Sequence, residues 1–149
     1  MSKAIVIYDT KYGNTKKVAE AIALGIEGEG IEVDLKSVTE TSSAEIGKYE
    51  LIVLGSPTHI GSVKKDTKKL LKGLKDLDLS HAKFAAFDTR FKNASKGATK
   101  KIETFMGKYG ASKVVDGLVV EVTGMKGPLA LGAEEKSKAF GAKIAQKSK

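Results

Sequence analysis

Five short apolar runs, four of them leading into a stretch of helical or turn-ended periodicity and all spaced along one chain, constrain this sequence more than any other feature. Lys3-Ala-Ile-Val-Ile-Tyr8 is apolar at consecutive positions, as a strand covered on both faces must be. From Asn14 the period changes: Val18, Ile22 and Ile26, with Ala19 and Ala23 beside them, form one helical stripe that runs out at Gly28-Glu-Gly30. Ile31, Val33 and Leu35 alternate inward and predict an edge strand over 31–36. Leu51-Ile-Val-Leu54, stopped by Gly55-Ser-Pro57, predicts a second central strand. Val63, Thr67, Leu70, Leu71 and Leu74 then share a helical face, and the opposite side is assigned Lys64, Lys65, Lys68, Lys69, Lys72 and Lys75.

Lys83-Phe-Ala-Ala-Phe87 repeats the buried-strand pattern. Ser95 is the expected N-cap of a helix whose core face is Ala98, Ile102, Phe105, Met106 and Tyr109, with Gly110 beyond its end. Leu118-Val-Val-Glu-Val122 reads as the fifth strand. Glu134 and Glu135 suit the start of a last helix and Lys143 and Lys147 its end, with Phe140 and Ile144 on its buried face. Parallel neighbours need right-handed crossover connections, so this alternation predicts an α/β fold. The expected architecture is a doubly wound five-stranded parallel sheet with helices on both faces, in one domain over residues 1–149.

Composition removes several chemistries. With no cysteine, the chain has no disulfides, thiolate metal sites or cysteine nucleophiles, and its two histidines, His59 and His81, have no partner at metal-site spacing. No metal site and no catalytic acid or base is expected. No apolar run approaches the ~20 residues of a membrane span, and no signal-peptide pattern is seen, so no membrane insertion and a cytoplasmic location are expected. The net charge of +8 is concentrated: residues 64 to 101 hold 12 Lys/Arg against 4 Asp/Glu, and the remainder balances. Such a field attracts an acidic partner, or simply keeps a helix face wet. The basic stretch lacks interleaved aromatic residues, which argues against a nucleic-acid partner.

In an open parallel sheet the ligand crevice lies beyond the carboxyl ends of the strands, which here selects residues 9–15, 55–62 and 88–95. In the first, Thr10, Asn14 and Thr15 surround the glycine turn at Gly13 where a helix opens. Backbone N–H groups and hydroxyls in that arrangement suit a phosphate, or serve only to turn and cap the helix. The Gly-Lys-Ser/Thr ending of a nucleotide-binding P-loop is absent.

Thr10-Lys11-Tyr12-Gly13-Asn14-Thr15, directly after a buried first strand, resembles the FMN phosphate loop of the flavodoxin family. The similarity extends through Gly55-Ser56-Pro57-Thr58 after the third strand, Ala85-Ala-Phe-Asp88-Thr89-Arg90 at the end of the fourth, and Gly127-Pro-Leu129. It implies the strand order 2-1-3-4-5, non-covalently bound FMN, and transfer of one or two electrons between redox enzymes by a monomer. It also implies two ring loops: Ser56, Pro57, Thr58, His59, Ile60 and Gly61, then Asp88, Thr89, Arg90 and Phe91. At Gly61 the missing Cβ lets the peptide turn its carbonyl toward the flavin N5, and Asp88, Thr89 and Arg90 stand where the pyrimidine edge would be read. Arg90 either faces the ring, favouring added electron density, or pairs with Asp88 at the surface.

Two departures from the family pattern stand out. Flavodoxins commonly stack Trp and Tyr on the ring, whereas this chain has no Trp and offers His59, Ile60 and Phe91 instead. Flavodoxins are also typically acidic and meet basic partners. The lysine-rich stretch here implies a redox partner with an acidic docking surface. An FMN-dependent reductase or oxidase acting on a quinone or porphyrin-like substrate is the alternative on the same fold. A receiver domain is excluded, because Asp9 stands alone after the first strand and Ser56 and Thr123 occupy the positions its Asp and Lys would need.

Overall fold

The computed structural model describes residues 3–59 and 62–149. Strands β1 (Lys3–Tyr8), β2 (Glu32–Ser37), β3 (Leu51–Pro57), β4 (Lys83–Phe91), β5 (Ser112–Lys113) and β6 (Leu118–Val122) form one parallel sheet in the order 2-1-3-4-5, with β6 also on β4. Helices α1 (Asn14–Glu27), α2 (Ser43–Ile46), α3 (Lys65–Gly73), α4 (Ala98–Lys108) and α5 (Ala133–Ser148) flank it.

Unbroken apolar runs are explained by the two cores they serve. Along β1, Ala4, Val6 and Tyr8 enter one core while Ile5 and Ile7 enter the other; Leu51 and Val53 alternate with Ile52 and Leu54 in the same way on β3. The first core is closed by Val18, Ile22 and Ile26 of α1 and by Phe140 and Ile144 of α5. Leu70 and Leu71 of α3 and Ile102 and Met106 of α4 close the second. Each fully buried aliphatic side chain here is worth about 1.5–3 kcal/mol in transfer free energy.

The fifth strand position departs from expectation, being shared by two segments. Phe84 pairs with Lys113 and Phe87 with Leu118, so three steps along β4 face five on the other side and two extra residues are absorbed between β5 and β6. Gly117 lies in that interruption, and a side chain there would press on Thr99 and on the Ala86 carbonyl.

Helices α1 and α5 cross almost backbone to backbone. A methyl group on Gly25 would lie 2.0 Å from the Lys138 carbonyl oxygen, and one on Gly141 would lie 2.1 Å from that of Ile22. Neither carbonyl can yield without moving its helix. Gly141→Ala is therefore expected to lower stability by about 1–3 kcal/mol despite alanine's higher helix propensity. A urea unfolding curve at or above the wild-type midpoint would contradict this contact.

At the β2 edge, the Tyr49 hydroxyl donates to Asp34 Oδ2. Burial, then the neighbouring carboxylate, push the Tyr49 pKa up to about 12, and the same hydrogen bond holds Asp34 below the ordinary carboxylate value. The lowered Asp34 pKa gives stability that is present above its unfolded value and lost as pH falls through the folded one. The raised Tyr49 pKa gives stability present below 10.0 and lost as pH rises toward about 12. Tyr49→Phe should cost about 1 kcal/mol in urea unfolding at pH 7, and the difference from wild type should shrink as Asp34 is protonated.

Candidate functional site

The carboxyl ends of β1, β3 and β4 open on a cavity of about 760 Å³. All three sequence-selected loops reach it: Thr10, Lys11, Tyr12, Asn14 and Thr15 from the first, Pro57, Thr58 and His59 from the second, Thr89, Arg90 and Phe91 from the third. Ile60 and Gly61 lie outside the described residues.

The first loop is set by Gly13, whose φ of +91° is cheap only for glycine, and whose N–H donates to Thr10 Oγ1 at 2.9 Å. Gly13 stands as N-cap of α1 without lining the cavity. Thr15 is buried and shares a 2.9 Å hydrogen bond with Thr89 Oγ1, which ties the first loop to β4. Among the described residues, the N–H groups of Lys11, Tyr12, Asn14 and Thr15 find no acceptor. Asn14 and Thr15 belong to the first turn of α1, where unpaired donors and the helix dipole favour an anion. An anionic phosphate therefore fits this end of the cavity.

In the second loop, Ser56 is fully buried and does not face the cavity. Its hydroxyl donates to the Pro57 carbonyl at 2.8 Å and accepts the Lys64 N–H at 3.2 Å, which bends the chain into α3. His59 and Ser62 exchange backbone hydrogen bonds of 2.7 and 3.0 Å. Thr58 donates its N–H to the Thr89 carbonyl at 2.8 Å, and its hydroxyl accepts the Ala98 N–H at 3.2 Å.

Asp88 corrects the expectation of a residue turned toward a ligand. It is completely buried and does not line the cavity. Its carboxylate accepts Arg90 Nε at 2.9 Å and Arg90 Nη2 at 2.6 Å, and also the Thr99 N–H at 2.9 Å. Thr58 and Asp88 accept the first two N–H groups of α4, those of Ala98 and Thr99, a duty expected of Ser95; the N-cap is instead Gly97, with no side-chain cap. Arg90 is mostly buried rather than at the surface, and the Asp88 carboxylate raises its pKa above the ordinary guanidinium value. Arg90 pairs with Asp88 and lines the cavity at once.

Asn93, Ala94 and Ser95, within the third selected loop, line the cavity as well, and it is Lys96, Val122 at the end of β6 and Met125 beyond it that lie outside the selected loops. Beyond β6 the chain folds back: the Thr123 N–H and hydroxyl both donate to the Pro128 carbonyl at 2.9 Å, and the Ala130 N–H donates to the Glu121 carbonyl at 2.9 Å. Gly127-Pro-Leu129 was the only signal for this arm. Lys64, assigned to the wet face of a helix, is instead the N-cap of α3 and turns inward. Its Nζ lies 3.6 Å from Oδ1 of the buried Asp9, whose Oδ2 accepts the Thr67 hydroxyl at 2.9 Å. Lys11, Lys64, Arg90 and Lys96 line the cavity, and among the described residues no Asp or Glu does. Around the rim, Tyr12, Phe91 and Met125 are exposed, and Lys11 and Lys126 lie 5.4 and 6.0 Å from the Tyr12 ring centroid. Among the described residues no cluster of three or more His, Asp or Glu could hold a metal.

A flavodoxin domain sequence model matches residues 5–122. A flavodoxin of Maridesulfovibrio salexigens is 31% identical over 127 residues, covering 81% of this chain and 87% of that protein. A flavodoxin of Aquifex aeolicus is 44% identical over 70 residues, 46% of this chain and 38% of that one. An NAD(P)H dehydrogenase (quinone) of Paraburkholderia phymatum is 33% identical over 91 residues, 48% of this chain and 46% of the enzyme. The chain thus spans less than half the length of two of these three relatives. The crystal structure of oxidised Flavodoxin 2 from Bacillus cereus superposes with a TM-score of 0.87 at 26% identity, covering 98% of this chain and 99% of that one. Matched by the domain model over most of its length, and aligned with a full-length relative at 31% identity, the chain belongs to the flavodoxin family.

Proposed function

We propose that this chain holds FMN in the cavity, its phosphate against Thr10–Thr15, and carries electrons between redox proteins. Family membership implies a flavin. The observation that supports FMN in particular is the set of unpaired N–H donors and hydroxyls at the start of α1, which serve a terminal phosphate and have no use for riboflavin. Bound there, FMN would supply the one- and two-electron chemistry. The chain's residues do the rest: Thr10, Asn14 and Thr15 anchor the phosphate, Thr58 and Thr89 frame the floor, and Tyr12, His59 and Phe91 shield the ring from water. Purified protein should be yellow and should retain FMN while releasing riboflavin on dialysis. Colourless protein that takes up neither would overturn the reading.

The partner surface follows from charge. Lys65, Lys68, Lys69 and Lys72 are exposed along α3 and Lys75 just beyond it, and Lys92 and Lys96 stand beside the cavity mouth. An acidic redox protein would be steered to this side. Electron transfer to an acidic acceptor protein should slow steeply with salt once the Debye length falls below about 8–10 Å. Reversal of Lys65, Lys68 and Lys72 to Glu should slow it further while leaving FMN affinity nearly unchanged, because none of the three lines the cavity. Rates indifferent to both changes would leave the lysines as a solvated helix face.

A second reading, an FMN-dependent quinone reductase, draws on the likeness to the Paraburkholderia enzyme. Steady-state turnover of NAD(P)H with a quinone separates it from the carrier.

A further inference from the structure

Among the described residues, every charged side chain lining the cavity is a cation, and two of these are held by carboxylates that do not line it. Asp9, just past β1, and Asp88, in β4, are both buried, and each keeps a second donor that fixes its orientation: the Thr67 hydroxyl and the Thr99 N–H, both at 2.9 Å. Their partners, Lys64 and Arg90, stand on the cavity side. Two ion pairs thus point their positive ends inward. Arg90 is bound up with the start of α4, whereas Lys64 has a partly exposed side chain whose only ion pair among the described residues is with Asp9, 3.6 Å away. Its backbone is pinned separately by Ser56 Oγ.

We propose that Lys64, aimed into the cavity by Asp9, sets the redox preference of the site by favouring the reduced flavin over the oxidised one; the inference rests on the flavin reading above. At neutral pH, addition of two electrons and one proton gives the flavin ring one more negative charge. Lys64 attracts that added charge and has little to gain from the neutral oxidised ring. A difference in affinity between the two states is a shift in potential by linkage. Asp9 acts through Lys64 as a positioning residue.

The test compares the affinity of oxidised FMN, from fluorescence quenching, with the two-electron potential of free and bound FMN in a dithionite titration. Lys64→Met should lower the ratio of oxidised to reduced dissociation constants about tenfold, which is about 30 mV for a two-electron couple. Lys64→Arg should restore the wild-type ratio, and Lys65→Met, exposed and away from the cavity, should leave it unchanged. Thermal melts of the variants establish that they are folded. Riboflavin at saturating concentration should show the same fall with Lys64→Met, because the effect acts on the ring. If Lys64→Met weakens oxidised and reduced FMN alike and spares riboflavin, Lys64 serves the phosphate and the proposal is overturned; an unchanged ratio overturns it too. Failure of the wild-type chain to bind either flavin would instead overturn the flavin reading, and this inference with it.

Discussion

Replacing Thr10 and Thr15 together by alanine is expected to abolish most of the preference for FMN over riboflavin. Hydrogen bonds to a charged phosphate are worth roughly 1.5–3 kcal/mol each, so the pair represents about a hundred- to ten-thousandfold in affinity. The structure adds a second route to the same loss. Thr10 Oγ1 also accepts the Gly13 N–H, and Thr15 Oγ1 also holds Thr89. Alanine at these positions would therefore remove both hydroxyls offered to the proposed phosphate and loosen the turn that aims the remaining N–H groups. Titration of both flavins by fluorescence quenching checks this directly. Riboflavin affinity should change far less than FMN affinity, and an equal loss for both would show that the loop does not read phosphate.

The second large effect is expected at Asp88. Removal of one member of a buried ion pair leaves the other charge without compensation and typically costs about 3–5 kcal/mol. Asp88→Ala would strand the Arg90 guanidinium and leave the Thr99 N–H at the start of α4 without its acceptor. Asp88→Asn should be milder, since the amide oxygen can still accept from Thr99. In a double-mutant cycle, Arg90→Ala introduced on top of Asp88→Ala should cost much less than Arg90→Ala alone. A loss below about 1 kcal/mol in urea unfolding for Asp88→Ala would mean that the pair does not hold the third loop to α4.

Those two cases mark what could and could not be read before folding. Lys3–Tyr8 and Leu51–Leu54 were legible because a strand buried on both sides must be apolar without interruption, and the loop at Thr10–Thr15 because a helix start with paired hydroxyls is a local pattern. The 2-1-3-4-5 order came through resemblance, and the sheet has it. Asp88 looked like a ligand-facing residue because its place at the end of a strand is a local fact, whereas its partners include the Thr99 N–H on a helix 11 residues on. Lys64 shares the helical spacing of its lysine neighbours, but it precedes the first helical residue, where the chain is extended and no periodicity governs direction. Ser95 had the right chemistry for a cap and lost the role to Thr58, 40 positions from Ala98. The split of the fifth strand depends on register against β4, which no single run of residues encodes.

The close crossing of Gly25 and Gly141 bears on how the cavity is braced. Helix α1 presents its first turn to the cavity and leans another flank on α5, whose Phe140 and Ile144 share a core with Val18, Ile22 and Ile26. A variant cut before residue 133 would keep all the described strands of the sheet and still have a loosely seated α1. The bearing of the cavity's first loop thus rests on a helix that contributes no residue to the cavity wall.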